Sequence, residues 1–205
     1  MKRHKLHIPG PAGRIETVVE EPDGEIRGLA LVAHPHPLHG GSLDNKVTFT
    51  LARAALACGL VAVRSNFRGV GGSEGGFDQG AGETEDLLCL AAWAEGAFGA
   101  LPWTLLGFSF GAYVQHRVAA SLSAQRLIMV GPAVSRFGFD APPVPAVILH
   151  GAEDEVVPLD AVRAYAERWA VPLHVVAGTG HFFHGQLKPL QALVEGLCCP
   201  ERNLA

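Results

Sequence analysis

The chain has 205 residues, 48% of them hydrophobic, with a formal net charge of −4 at pH 7 and a mean hydropathy of +0.22. That length suits a single domain over residues 1–205, and such a chain buries roughly 70% of its unfolded surface, so it needs no disulfide or metal to hold it. The acidic balance argues against a nucleic-acid binder, which would show a basic stripe, and no apolar run approaches the ~20 residues of a membrane span.

High hydropathy in short runs suits a parallel sheet buried on both faces. In chain order, the pattern predicts strands at Lys5–Ile8 and Ile15–Glu20 with no helix between them, a turn at Pro22-Asp23-Gly24, and a strand at Leu29–Ala33. Next come helix Lys46–Cys58, strand Val61–Asn66, helix Glu83–Phe98, strand Trp103–Phe108 and helix Phe110–Leu122. The remainder reads as strands Arg126–Val130 and Ala146–Leu149, helix Leu159–Trp169, strand Leu173–Val176 and helix Gly185–Leu197. This alternation implies an α/β fold: a mostly parallel, twisted sheet of about eight strands flanked by helices.

The basic start, Lys2-Arg3-His4-Lys5, reads as a solvated strand or tail, because Pro9, Gly10 and Pro11 precede any apolar secretory segment. Cys58, Cys89, Cys198 and Cys199 show neither a disulfide framework nor Cys-x-x-Cys pairs. They are expected to be free thiols, which suggests a cytoplasmic protein. The segment Gly69–Gly82 carries seven glycines but no lysine of a phosphate loop, and it follows the fourth strand rather than the first. It is expected to form a rim of the active site, with no nucleotide cofactor.

The chemistry centres on Gly107-Phe108-Ser109-Phe110-Gly111, set between an apolar strand and a helical run. A serine on such a turn is held in strained geometry with its hydroxyl exposed, beside the positive end of a helix. The hydroxyl needs a base, and the base needs an orienting carboxylate. Strand Ala146–Leu149 leads into Glu153, Asp154 and Glu155, of which the short, stiff Asp154 is the favoured orienter. The last strand leads into Gly180-His181, which favours His181 over His184 as the base. The oxyanion hole should use the Phe110 N–H and a second donor from the loop after the third strand. Pro35 and Pro37 have no N–H, leaving His36, with Leu38 as second choice. His34, His36 and His39 raise a metal site, but no acid or cysteine completes the set, so no metal is expected.

These residues resemble the α/β-hydrolase superfamily, and within it short bacterial hydrolases near the dienelactone-hydrolase-like and acyl-peptidase-like branches. The likeness runs through His34-Pro35-His36-Pro37, Asn66-Phe67-Arg68-Gly69, Gly107 to Gly111, His150-Gly151 with Asp154, and His181-Phe182-Phe183. It implies the same triad, with Asn66 and Arg68 bracing loops beside the site. It departs from dienelactone hydrolases in carrying Ser109 where they carry cysteine.

Val130 to Ala146 is too short for a helical lid, so an open site is expected, walled by Leu38, Phe108, Phe110, Phe137, Phe139, Phe182 and Phe183. The leading reading is a serine hydrolase that cleaves esters or thioesters of small acyl groups through an acyl-enzyme. An acyltransferase or peptidase with the same triad, and a non-catalytic binding protein on the same fold, are the alternatives. The expected partner is a small acyl substrate, and nothing in the residues decides the oligomeric state.

Overall fold

The computed structural model describes residues 2–199. Its eight strands are β1 (Lys2–Gly10), β2 (Gly13–Glu21), β3 (Gly28–Ala33), β4 (Leu60–Ser65), β5 (Trp103–Phe108), β6 (Ala124–Val130), β7 (Ala146–Gly151) and β8 (Leu173–Val176). The helices are α1 (Lys46–Ala57), α2 (Ala81–Phe98), α3 (Phe110–Val118), α4 (Leu159–Trp169) and α5 (Leu187–Cys198). The spatial order of the strands is β1-β2-β4-β3-β5-β6-β7-β8. The β1–β2 and β2–β4 pairs are antiparallel and every later pair is parallel.

Side chains alternate along the central strands, so each strand feeds two cores. Leu29 and Leu31 face α2, α3 and α4, while Ala30 and Val32 face α1 and α5. The basic start is strand rather than tail, and its charges meet acids on β2, as in Lys2–Glu21 and Arg3–Glu20. No helix among the described residues is long and apolar enough to cross a membrane.

Three expectations need correction. Cys58, which caps α1, is bonded to Cys199 just past α5, so the four cysteines are not all free. The pair is 141 residues apart, and only the packing of α1 on α5 brings it together. The step from free thiols to a cytoplasmic protein loses that support. Helix α3 stops at Val118, short of Leu122, and turns take over.

The Gly69–Gly82 segment does not itself line the cavity at Ser109, although its Phe77 packs on the cavity-lining rings of His36 and Phe110 at 4.8 and 5.5 Å. It clamps the β1–β2 hairpin instead: Glu74 N–H donates to the Arg14 carbonyl, Gly72 N–H to Glu16, and Glu16 N–H to the Ser73 hydroxyl. The cause is topology. The C-terminal end of β4 abuts β2, so the loop leaving β4 lands on the hairpin.

Candidate active site

The site lies where strand order reverses. β3 leads to α1 on one face of the sheet, and its neighbour β5 leads to α3 on the other. The diverging loops open a crevice at the carboxyl ends of these two strands. Ser109 stands there, at the start of α3, with φ 55° and ψ −114°. A non-glycine residue at positive φ stores strain, of order 1–3 kcal/mol. The surroundings hold it: Ser109 N–H donates to the Val130 carbonyl at 2.9 Å. A Cβ on Gly107 would sit 2.4 Å from the Gly111 oxygen, and one on Gly111 would sit 2.4 Å from the Ala33 oxygen. Both positions require glycine for α3 to pack this tightly against β5 and β3.

His181 and Asp154 converge on Ser109. His181 Nε2 lies 3.0 Å from the Ser109 hydroxyl oxygen, and His181 Nδ1 lies 2.7 Å from Asp154 Oδ2. A carboxylate only accepts, so Nδ1 carries the proton, and Nε2 is free to accept from the serine. Asp154 Oδ1 accepts from the N–H groups of Val156 and Val157 at 2.9 and 2.8 Å. Burial pushes the Asp154 carboxyl up, but the His181 hydrogen bond and these backbone donors outweigh it and hold the group below the ordinary carboxylate value. The rival residues Glu153, Glu155 and His184 are exposed.

Nothing in the sequence marks His150 beyond the family likeness. It is fully buried; its Nε2–H donates to the Val157 carbonyl at 3.1 Å and lies 3.5 Å from Asp154 Oδ2. It thus ties down the turn that aims the carboxylate. Phe183, expected in the apolar wall, is wholly buried in the core with α1 and α5 at φ 52°. Its ring pins the turn that carries His181. A phenylalanine two residues past the histidine was visible in the sequence, but its direction was not.

The loop after β3 is a single 3₁₀ turn, Pro37–His39. The His36 ring accepts the Leu38 N–H at 3.2 Å, which commits that donor. The N–H groups of His36 and Phe110 have no protein acceptor among the described residues. The three histidines of this loop do not converge. His34 is buried; its Nδ1–H donates to the Pro35 carbonyl at 2.6 Å, and its Nε2 accepts from Phe67 N–H at 2.9 Å. Burial pulls its pKa down to about 4. The described residues hold no cluster of three or more potential metal ligands.

A cavity of about 420 Å³ opens beside Ser109, within the range of small-molecule sites. Phe110, Phe137, Phe182, Ala133, Val156 and Val157 supply its apolar wall. The other expected wall residues lie elsewhere. Phe108 is buried against the His181 ring at 4.9 Å, Phe139 packs on Tyr113 and Tyr165, and Leu38 points to solvent. The 131–145 connection contains no helix, so it supplies no helical lid over the cavity. Asn66 donates to Glu16 and accepts from Leu43 N–H, while Arg68 makes two 2.8 Å hydrogen bonds to Asp86. Both brace loops outside the cavity.

No family model matches the chain. An α/β serine hydrolase homologue from Coxiella burnetii is 41% identical, covering 100% of this chain and 99% of its own, with a TM-score of 0.91. An α/β serine hydrolase without a lid from Xanthomonas campestris is 37% identical, over 95% of this chain and 93% of its own, with a TM-score of 0.90. An uncharacterised protein from Rickettsia prowazekii is 34% identical over 194 residues, 87% of this chain and 82% of its own.

Proposed function

The chain belongs to the α/β serine hydrolases that lack a lid, and we propose that it cleaves carboxylic esters or thioesters of small acyl groups through an acyl-enzyme on Ser109. The observation that carries this reading is the continuous line from Asp154 through His181 to the Ser109 hydroxyl, at 2.7 and 3.0 Å. As Ser109 attacks the substrate carbonyl, its proton passes to His181 Nε2, and Asp154 stabilises the imidazolium that forms. The tetrahedral oxygen is taken up by the N–H groups of Phe110 and His36. His36 is preferred over Leu38 because the Leu38 N–H is already held by the His36 ring. His181 then returns the proton to the departing alcohol or thiol, and water attacks the acyl-enzyme by the same route.

A fluorophosphonate probe tests the reading. The protein should take one label, on Ser109, and Ser109→Ala should abolish it. Labelling that persists in the variant overturns the assignment.

A further inference from the structure

The cavity beside Ser109 carries charge of one sign. Arg136, His36 and His39 line it, and no aspartate or glutamate does, although the chain as a whole is acidic. Arg3, Arg14, Arg27, Arg64, Arg68 and Arg163 all pair with carboxylates. Arg136 has no ion pair, side-chain hydrogen bond or cation–π partner among the described residues. The His36 and His39 rings lie 4.6 Å apart. Burial first, and then the charges of His39 and Arg136, hold the His36 imidazole below its ordinary value. A bound anion meets the permanent guanidinium charge of Arg136, which no acid in the cavity wall neutralises, and the His36 Nε2–H beside it, left as a donor because Nδ1 accepts from Leu38 N–H.

The position of the charge narrows its use. Phe137, next to Arg136, stacks on Tyr113 at 4.8 Å and meets Phe110 at 5.2 Å and His36 at 6.2 Å. Arg136 itself lines the cavity, and its charge acts on His36, whose N–H is the proposed second oxyanion donor, so it belongs to the oxyanion side of Ser109. His181 stands on the other side with Phe182, and a departing alcohol must face it to receive a proton. On the ester-cleaving reading above, on which this inference rests, we propose that the acyl group itself bears an anion, a carboxylate or a phosphate-like group on a short arm, held by Arg136 with His36 and His39.

Paired esters test this. Monoethyl adipate and ethyl 5-phosphonopentanoate carry the anion on the acyl arm, and ethyl hexanoate is their neutral counterpart. The anionic esters should have the higher kcat/KM by about tenfold, a typical return for one charge-assisted contact. The ratio should collapse toward one in Arg136→Gln and invert in Arg136→Glu. A stronger response to adipate locates a carboxylate site, and a stronger response to the phosphonate a phosphate-like one; either supports the proposal. Equal rates for all three esters overturn it while leaving the hydrolase reading intact, as does a preference that survives Arg136→Gln. A larger charge preference between 4-acetoxybutanoate and butyl acetate, whose anion rides on the alcohol, also overturns it. If Ser109 labels but none of these esters turns over, protection of the label by monoethyl adipate and not by ethyl hexanoate supports the proposal, and equal protection overturns it. If Ser109 does not label and no ester is cleaved, both readings fall.

Discussion

Two loops frame the crevice, and each contributes a buried histidine. His34 follows β3 and His181 follows β8, and at 0% and 2% exposure both are buried, though His181 reaches the wall of the cavity. Both rings have both nitrogens engaged. His34 meets a backbone carbonyl and a backbone N–H, partners that neither move nor ionise. His181 meets a carboxylate and a hydroxyl, one able to stabilise a proton on the ring and the other able to supply it. Burial alone therefore does not make a histidine reactive; the chemistry of its two partners does. His34 is a bracket between the ends of β3 and β4, and His181 joins Asp154 to the Ser109 hydroxyl, the geometry on which its proposed role as base rests.

The largest effect that can break this comparison is a split between activity and stability. His181→Ala is expected to lower kcat for ester hydrolysis by about 10⁴-fold. His34→Ala should leave the rate per folded molecule far less affected. It should cost about 3 kcal/mol in urea denaturation, because the Phe67 N–H and Pro35 carbonyl lose buried partners. Equal rate losses in the two variants would erase the distinction.

The next effect sharpens the account of the His181 loop. Phe183→Ala removes a wholly buried ring and should destabilise the protein by about 3–5 kcal/mol. Fluorophosphonate labelling of the remaining folded protein should slow as well, because the turn carrying His181 loses its anchor. Unchanged stability would show that the ring does not pin the loop.

The smallest effect separates the loops by pH. The His34 value is held at about 4 in the fold, against 6.5 for the free group. Between these values the unfolded chain takes up a proton that the folded chain refuses. Stability therefore falls as pH drops through that window, by roughly 3 kcal/mol from His34 alone. His36, His116 and His150, also held low chiefly by burial, shift it in the same direction. Asp154, depressed in the fold, stabilises above the ordinary carboxylate value, and its share is lost only at lower pH, as the carboxylate itself protonates. Urea titrations at several pH values should show a shallower slope in His34→Asn than in the unmodified protein, and an identical slope would contradict the assignment.

Much of the frame was legible because its signals are local. Apolar runs of strand length, helices of three-four spacing and the tight glycine-serine-glycine turn all depend on near neighbours, and element boundaries follow from them within a few residues. Ser109, Asp154 and His181 were readable as candidates from their order and from the strand ends they follow. Phe183 and Leu38 were misread because side-chain direction in an irregular loop has no period to follow. The glycine-rich loop was misplaced because its destination depends on which strand lies beside β4, and that is a property of the whole sheet.

The sequence by itself determined the alternation of strands and helices, the serine turn and the absence of room for a lid, since each is written in contiguous residues. Only the tertiary structure decided the Cys58–Cys199 bond, the role of His150 beneath Asp154 and the gathering of Arg136 with His36 and His39 around one cavity. The cysteine bond and the cavity join segments that lie far apart in the chain and exist only once the order of the strands has been set, whereas His150 lies four residues from Asp154 and its role follows from the burial of the end of β7.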